Sequence, residues 1–105
     1  MQEATFLILT ALASSAQHGY GIITDVREIS GGQVRLGAGT LYTALDRLRA
    51  EGLVVPDHEE IVDNRLRRYY ALTPYGAQVL AAEAARLKAN ASAAMSRLNL
   101  AGGTA

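Results

Sequence analysis

The sequence predicts a single α+β domain that is mostly α-helical. Three observations support this prediction. Apolar segments that favour helices occur four times, one β-hairpin signal stands between the third and the fourth of them, and a chain of 105 residues has room for only one domain. Hydrophobic residues make up 50% of the chain and charged residues 19%, a balance that excludes a disordered polypeptide.

Composition excludes several classes of protein. The chain contains no cysteine, which excludes a disulfide scaffold, a cysteine-ligated zinc site and a thiol nucleophile, and fits a cytoplasmic protein. Its formal net charge is zero, so bulk charge does not make it a polyanion binder. The apolar start, Met1–Ala13, is followed too soon by the polar residues Gln17 and His18, because a membrane span needs about 20 apolar residues. We therefore expect no membrane segment.

The first two predicted helices differ in how much of their surface is apolar. The segment Ala4–Ala13 is apolar nearly all round, so we expect a helix that is buried on two sides, with a partner subunit covering the second side. His18–Gly21 predicts a turn, and a second helix follows until Ser30–Gly32 stops it. The predicted apolar face of this second helix consists of Ile22, Val26 and Ile29.

A third helix is predicted from Ala38 to Glu51, and Gly52 is placed to end it. Its core face carries Leu41, Leu45 and Leu48, which follow one another at helical spacing. Counting 100° per residue, the residues that point away from these leucines are Thr43, Asp46, Arg47 and Ala50, flanked by Thr40, Tyr42 and Arg49.

A β-hairpin follows the third helix. Leu53–Val55 begins one strand, Asp63–Asn64 is a turn signal, and Arg65–Leu72 returns as the second strand. Alternation places Tyr70 and Leu72 on one face, which we expect to point inward. The opposite face carries Tyr69 and Ala71, and the strand begins with the arginines Arg65, Arg67 and Arg68.

The last predicted helix begins at Thr73–Pro74, because threonine suits the N-cap and proline suits the first helical position. Apolar residues then recur at alternating spacings of three and four, which is typical of a heptad seam. A helix of about 25 residues spans about 38 Å, longer than so small a domain, which favours pairing with a second subunit over packing on its own domain alone. The seam positions are Ala77, Leu80, Ala84, Leu87, Ala91, Ala94 and Leu98.

The order of the elements is helix, helix, helix, hairpin and long helix. This order describes a winged helix-turn-helix with an added C-terminal dimerisation helix. On this prediction residues 1–73 form the DNA-binding region, residues 74–100 form the dimerisation helix, and residues 101–105 form a disordered tail.

Four segments of the sequence resemble the PadR family of transcriptional regulators, in that family's order and spacing. The resemblance extends from residue 4 to about residue 90. The segments are His18–Ile22, Gly39–Leu48, Glu51–Val54 and Arg68–Gly76. The chain departs from the family pattern at Gly37-Ala38, where members often have Ser-Pro.

The resemblance implies a homodimeric DNA-binding repressor that is relieved by a small apolar or phenolic ligand. It also implies that the helix Ala38–Glu51 enters the major groove, that the hairpin is the wing, and that the first and last helices build the dimer. No cofactor is implied. The candidate DNA-binding residues are Thr40, Tyr42, Thr43, Arg47, Arg65 and Arg67, and the candidate dimerisation residues are Phe6, Leu80, Leu87, Ala91 and Leu98.

Other interpretations of the same residues stay open. The outer face of the third helix could be an ordinary solvated surface, and the hairpin arginines could simply balance the acids of the facing strand. The alternative function is a winged-helix protein-interaction module that does not bind DNA. An enzyme is disfavoured, because the sequence has no nucleophile-elbow motif, and Gly37–Gly39 lacks the Lys-Ser/Thr of a phosphate loop. His18 is predicted to be structural and not a metal ligand.

Overall fold

The computed structural model describes residues 1–102, with side chains described as far as Asn99. The elements in chain order are α1 (Glu3–Ser14), β1 (Gln17–His18), α2 (Gly19–Ile29), α3 (Ala38–Ala50), β2 (Val54–Val62), β3 (Arg65–Leu72) and α4 (Pro74–Gly102). The predicted winged helix-turn-helix with an added C-terminal helix is confirmed. The last helix includes residues 101 and 102 of the predicted tail, and the rest of that tail lies outside the described residues.

Helix α1 is the centre of the core. It packs against α2, β3 and α4, and its side chains from Leu7 to Leu9 are almost completely buried. The apolar character of nearly every face therefore has an explanation within the chain. The expectation that a partner subunit covers the second side of α1 is wrong for most of this helix, because β3 and α4 of the same chain lie there.

Helices α2 and α3 pack on each other through fully buried side chains. Gly31 and Gly32 end α2 with φ angles of +63° and +84°, a left-handed conformation that glycine adopts without strain. Ile29 was predicted on the buried face, and this prediction is wrong, because Ile29 is the last residue of α2 and is 44% exposed. The buried apolar side chains of the two helices are Ile22, Val26, Leu41, Leu45 and Leu48.

The sheet has three antiparallel strands in the order β1-β3-β2. The turn predicted at His18–Gly21 is wrong, because α2 already begins at Gly19 and His18 belongs to β1. In β1, Gln17 pairs with Tyr70, and His18 pairs with Tyr69. The Gln17 side-chain amide also donates to the Ala11 carbonyl at 2.7 Å. These contacts fix the connection between α1 and α2 against the middle of β3.

The hairpin β2–β3 has the predicted two-residue turn. Asp63 and Asn64 adopt φ angles of +52° and +63°, as a type I′ turn requires of both central residues. The predicted strand faces are also confirmed: Tyr70 is 8% exposed and Leu72 packs against the core. A β-bulge lies between Pro56 and His58 on β2.

Helix α4 is anchored at its start and exposed along most of its length. The hydroxyl of Thr73 accepts a hydrogen bond from the Gly76 amide at 2.9 Å, which confirms threonine as the N-cap. Leu80 is half-buried against the core, but residues 84–99 are all exposed in the single chain. The molecule therefore extends over 62 Å along its longest axis and only 27 Å and 21 Å along the others.

Candidate nucleic-acid interface

The outer face of α3 is held in place by the leucines on its inner face. Leu41, Leu45 and Leu48 have no exposed surface, so the rotation of α3 about its axis is fixed by packing. The N-terminal end of the helix is open, because a Cβ added at Gly37 or Gly39 would meet no atom within 4 Å. The exposed residues on this outer surface include Thr40, Tyr42, Thr43 and Asp46.

Tyr42 is exposed on its outer side but packs against α2 at its hydroxyl end. It is 43% exposed, and its ring reaches Gly19, the first residue of α2. This contact ties the start of α3 to the start of α2, and it limits the positions from which Tyr42 can reach a ligand.

Arg47 lies on the exposed side of α3, as predicted, but its side chain also contacts the start of α1. Its guanidinium donates to the Thr5 hydroxyl at 2.9 Å and lies 3.6 Å from the Glu51 carboxylate. The helical periodicity gives the direction of the side chain, but it does not show that the start of α1 lies on that side of α3. Arg47 therefore connects α3 to α1 while about half of its side chain stays exposed.

One face of the hairpin is turned towards α3. Leu66, Arg68 and Tyr70 of β3 line a hollow of about 470 Å³ together with Tyr42 and Asp46 of α3. Arg68 also lies 3.7 Å from Glu59 across the two strands. Arg68 was not among the candidate residues. The alternation of β3 indicates the position of Arg68, because Arg68 shares a face with Tyr70, the residue predicted to point inward.

The candidates Arg65 and Arg67 lie on the opposite face of the hairpin. Arg65 is exposed beside the turn, and Arg67 is half-buried opposite Glu60. The structure therefore does not bring these two arginines into the hollow beside α3. They reach a ligand only from the tip or from the outer side of the wing.

Acids of β2 stand opposite arginines of β3. The register pairs Glu59 with Arg68 and Glu60 with Arg67. The facing acids and arginines agree with the interpretation that the arginines balance the charge of β2. Of these two pairs, Glu59–Arg68 is within ion-pair distance, and both of its side chains are more than half exposed. An exposed pair of this kind contributes little and leaves the arginine available to another anion.

A cluster of aromatic side chains covers the outer face of the wing. The rings of His58 and Tyr69 are stacked with centroids 4.2 Å apart, and His18 lies 5.2 Å from Tyr69 on the other side. The hydrogen bond that the His58 ring donates to the Asp57 carboxylate raises the pKa of His58. Burial, and then the charge of Arg67, lower the pKa of His18.

No group of three His, Asp or Glu side chains in residues 1–102 comes together as a metal site requires. Within the same range, no helix is both long enough and apolar enough to cross a membrane.

The family model described as the Transcriptional regulator PadR-like family matches residues 8–82. This range begins within α1 and ends in the first third of α4, so it includes α3 and the whole hairpin.

Two curated relatives match most of the chain. An uncharacterised protein in a Streptomyces fradiae transposon is 43% identical over 78% of this chain. A transcriptional regulator of Mycobacterium tuberculosis is 40% identical over 70% of this chain. The matched part spans 22% of the first protein's length and 64% of the second's.

Several solved structures with the same fold are named for the family. A PadR family transcription regulator from Clostridium difficile has a TM-score of 0.78 and 25% identity, covering 92% of this chain and 99% of that one. Bacillus subtilis PadR, solved in complex with operator DNA, has a TM-score of 0.65 and 25% identity, covering 75% of this chain and 45% of that one.

Proposed function

The chain belongs to the PadR-like family of transcriptional regulators, and from this premise we propose that it is a homodimeric repressor that binds operator DNA. The members of this family are regulators of transcription and not enzymes. The operator complex of Bacillus subtilis PadR supports double-stranded DNA as the partner. A DNA partner also supports a cytoplasmic location for this protein.

The observation that carries the proposal is the position of α3 beside the arginine-bearing hairpin. The open N-terminal half of α3 fits the major groove, where Thr40 and Thr43 would offer hydroxyl groups to base edges. Tyr42 would contact the backbone or a base from its position over Gly19. Asp46 on the same face repels phosphate, so it would accept a hydrogen bond from a cytosine amino group or orient an arginine.

The wing arginines would contact phosphates. Arg65 and Arg67 would do so from the tip and the outer side, as the sequence predicts, and Arg68 would do so from the hollow beside α3. A phosphate entering that hollow would compete with Glu59 for Arg68. Arg47 is assigned a different role, since its contact with Thr5 supports positioning of α3 and not base recognition.

The exposed part of α4 supports the homodimer. Leu87 and Leu98 lie on the predicted heptad seam and are 39% and 66% exposed in the single chain. Pairing of two α4 helices, residues 74–100, would cover this seam together with Ala91, and the small alanines would permit close approach. Phe6 and Leu80 are already half-buried within the chain, so their share in the interface would be smaller.

Relief by a small apolar or phenolic ligand has a candidate location. A hollow of about 460 Å³ lies between the start of α1 and α4, where Phe6, Leu7 and Leu87 supply apolar surface and Gln33 supplies a polar group. A ligand bound there would change the angle between α4 and the rest of the chain. Repression would weaken if the bound ligand favoured a spacing of the two α3 helices that does not fit the operator.

The alternative, a protein-interaction module, is favoured by one feature: the chain has zero net charge, and acids face arginines on the wing. Selection from a pool of random duplexes distinguishes the two functions. We expect the chain to enrich one sequence, and fluorescence anisotropy to show affinity at least about a hundredfold higher for it than for a scrambled duplex. Failure to enrich any sequence, with equal weak binding to both duplexes, would contradict DNA recognition and favour the alternative.

A further inference from the structure

The tip of the wing carries two large aliphatic side chains that the described part of the chain leaves uncovered. Ile61 is 77% exposed and Leu66 is 55% exposed. The sheet register pairs them directly across β2 and β3, so they project from the same face of the hairpin. They lie next to the Asp63–Asn64 turn, at the end of the wing that is furthest from the core.

The face on which the pair lies is the face turned towards α3. Leu66 lines the hollow that also contains Tyr42 and Asp46. Further down the same face Tyr70 is buried by the body of the domain, but the tip extends beyond it. The cross-strand contact between the two side chains explains why they stand opposite each other. It does not cover them, since more than half of each side chain stays exposed to water.

We propose that Ile61 and Leu66 enter the minor groove of the operator and pack against the apolar sugar edges that form its walls. The inference rests on the proposed function and adds an apolar contact to the charged ones. Positive charge lies on the β3 side of the pair, since Arg65, Arg67 and Arg68 flank Leu66, while Glu59 and Glu60 precede Ile61 on β2. The pair is also continuous with the proposed α3 surface through Leu66.

Only the side chains at the tip, and not the paired strands, match the width of this groove. The backbones of two paired strands lie about 4.8 Å apart, so the hairpin with its side chains is wider than the B-DNA minor groove of about 6 Å. Ile61 and Leu66 would therefore reach into the groove while the strands stay above it. Aliphatic side chains inserted from the minor groove widen a base step without forming hydrogen bonds, as in proteins that bend DNA.

Two consequences separate this contact from those of the arginines. Burial of aliphatic surface releases no counterions, so its contribution to affinity does not depend on salt. The guanine amino group projects into the minor groove and would meet the side chains, so the contact favours A·T pairs at the step below the wing tip.

The test is the double variant Ile61→Thr with Leu66→Thr, which keeps residues suited to a strand. On the operator selected by the wild-type chain, we expect affinity to fall about tenfold, because most of the buried aliphatic area is lost. The slope of affinity against salt should stay unchanged, and the preference for A·T under the wing should disappear. Val55→Thr is the matched control, since Val55 is 44% exposed on the same hairpin but lies near its base.

Each outcome has a distinct meaning. If the wild-type chain binds no duplex, the proposed function fails and this inference fails with it. If the wild-type chain binds and the double variant binds equally well, only this inference is overturned. A salt slope reduced in the double variant would also overturn it, because that result assigns the loss to phosphate contacts. Sedimentation showing that the double variant loses a self-association of the free chain would identify a second copy as the occupant and overturn the inference.

Discussion

The hydroxyl of Tyr42 lies directly over Gly19, where the first turn of α2 leaves room for it only because the residue has no side chain. A Cβ at Gly19 would come within 2.5 Å of the Tyr42 hydroxyl oxygen and within 2.9 Å of the adjoining ring carbon. Gly19 is buried, and Tyr42 stands on the outer side of α3. The contact therefore sets the distance between the two helices of the helix-turn-helix.

Replacing Gly19 with alanine should displace Tyr42 and with it the start of α3. We expect the free energy of unfolding to fall by about 1–3 kcal/mol, the range for overpacking, and operator affinity to fall as well. Thermal unfolding and fluorescence anisotropy measure the two effects. Gly39→Ala is the control, because a Cβ there meets nothing within 4 Å and alanine suits a helix. Equal stability of the Gly19→Ala and wild-type chains would show that the tyrosine moves aside freely.

Arg47 and Thr43 should respond differently to substitution. Arg47→Ala removes the hydrogen bond to Thr5, and we expect about 1 kcal/mol lower stability, with operator and scrambled duplexes affected alike. Thr43→Ala should leave stability nearly unchanged and reduce the preference for the operator by about 1–3 kcal/mol. Unfolding in denaturant and anisotropy on both duplexes provide the comparison. A selective loss of operator binding in Arg47→Ala, with unchanged stability, would restore Arg47 as a base-reading residue.

The titration midpoints of the two histidines should lie on opposite sides of their ordinary pKa of 6.5. The pKa of His58 is raised, so its contribution to stability is complete below 6.5 and is lost as pH rises through the folded-state value. The pKa of His18 is lowered, so its contribution is present above 6.5 and is lost as pH falls through the folded-state value.

Proton NMR resolves both titrations, because the chain has only two histidines. Asp57→Asn should lower the midpoint of His58, since the hydrogen bond to Asp57 is the largest cause of its shift. It should leave the midpoint of His18 in place, because burial and Arg67 cause that shift. Besides Asp57, the groups that face His58 are Glu60 and Tyr69. The reverse order of midpoints in the wild-type chain would show that the cluster is arranged differently in solution.

The homodimer should depend on the far half of α4. Leu98→Asp would place a charge in the seam without a partner, and we expect a chain of monomer mass in sedimentation with its helix content kept. Leu98 is a cleaner choice than Leu87, which also lines the hollow beside Phe6. Ser96→Asp adds the same charge at a heptad position away from the seam and should remain dimeric. An intact Leu98→Asp dimer would move the interface elsewhere.

Local patterns predicted most of the fold. The leucines of α3 repeat at helical spacing, and Asp63–Asn64 has the side chains that tolerate positive φ, so each element follows from its own segment. Strand β1 could not be predicted this way. It has only two residues, and the partner that makes Gln17 extended lies far along the chain in β3.

The candidate site was predicted less completely than the fold. Periodicity gives the direction of each side chain but not the neighbour it meets. It therefore placed Thr40 and Thr43 on the exposed face, yet did not show that Arg47 meets Thr5. Arg68 could have been found by extending the alternation from Tyr70 along β3.

The central claim is that two copies of α3 occupy successive major grooves, and cleavage of operator DNA from a single engineered cysteine tests it most directly. The chain has no cysteine, so Thr43→Cys provides one attachment point for an iron chelate that generates hydroxyl radicals. We predict two clusters of strand cleavage facing the major groove, with centres about 10 base pairs apart. Ser92→Cys on the exposed part of α4 should give no focused cleavage. A Thr43→Cys chain that binds the operator with wild-type affinity but cleaves diffusely, or no more than Ser92→Cys, would contradict the account.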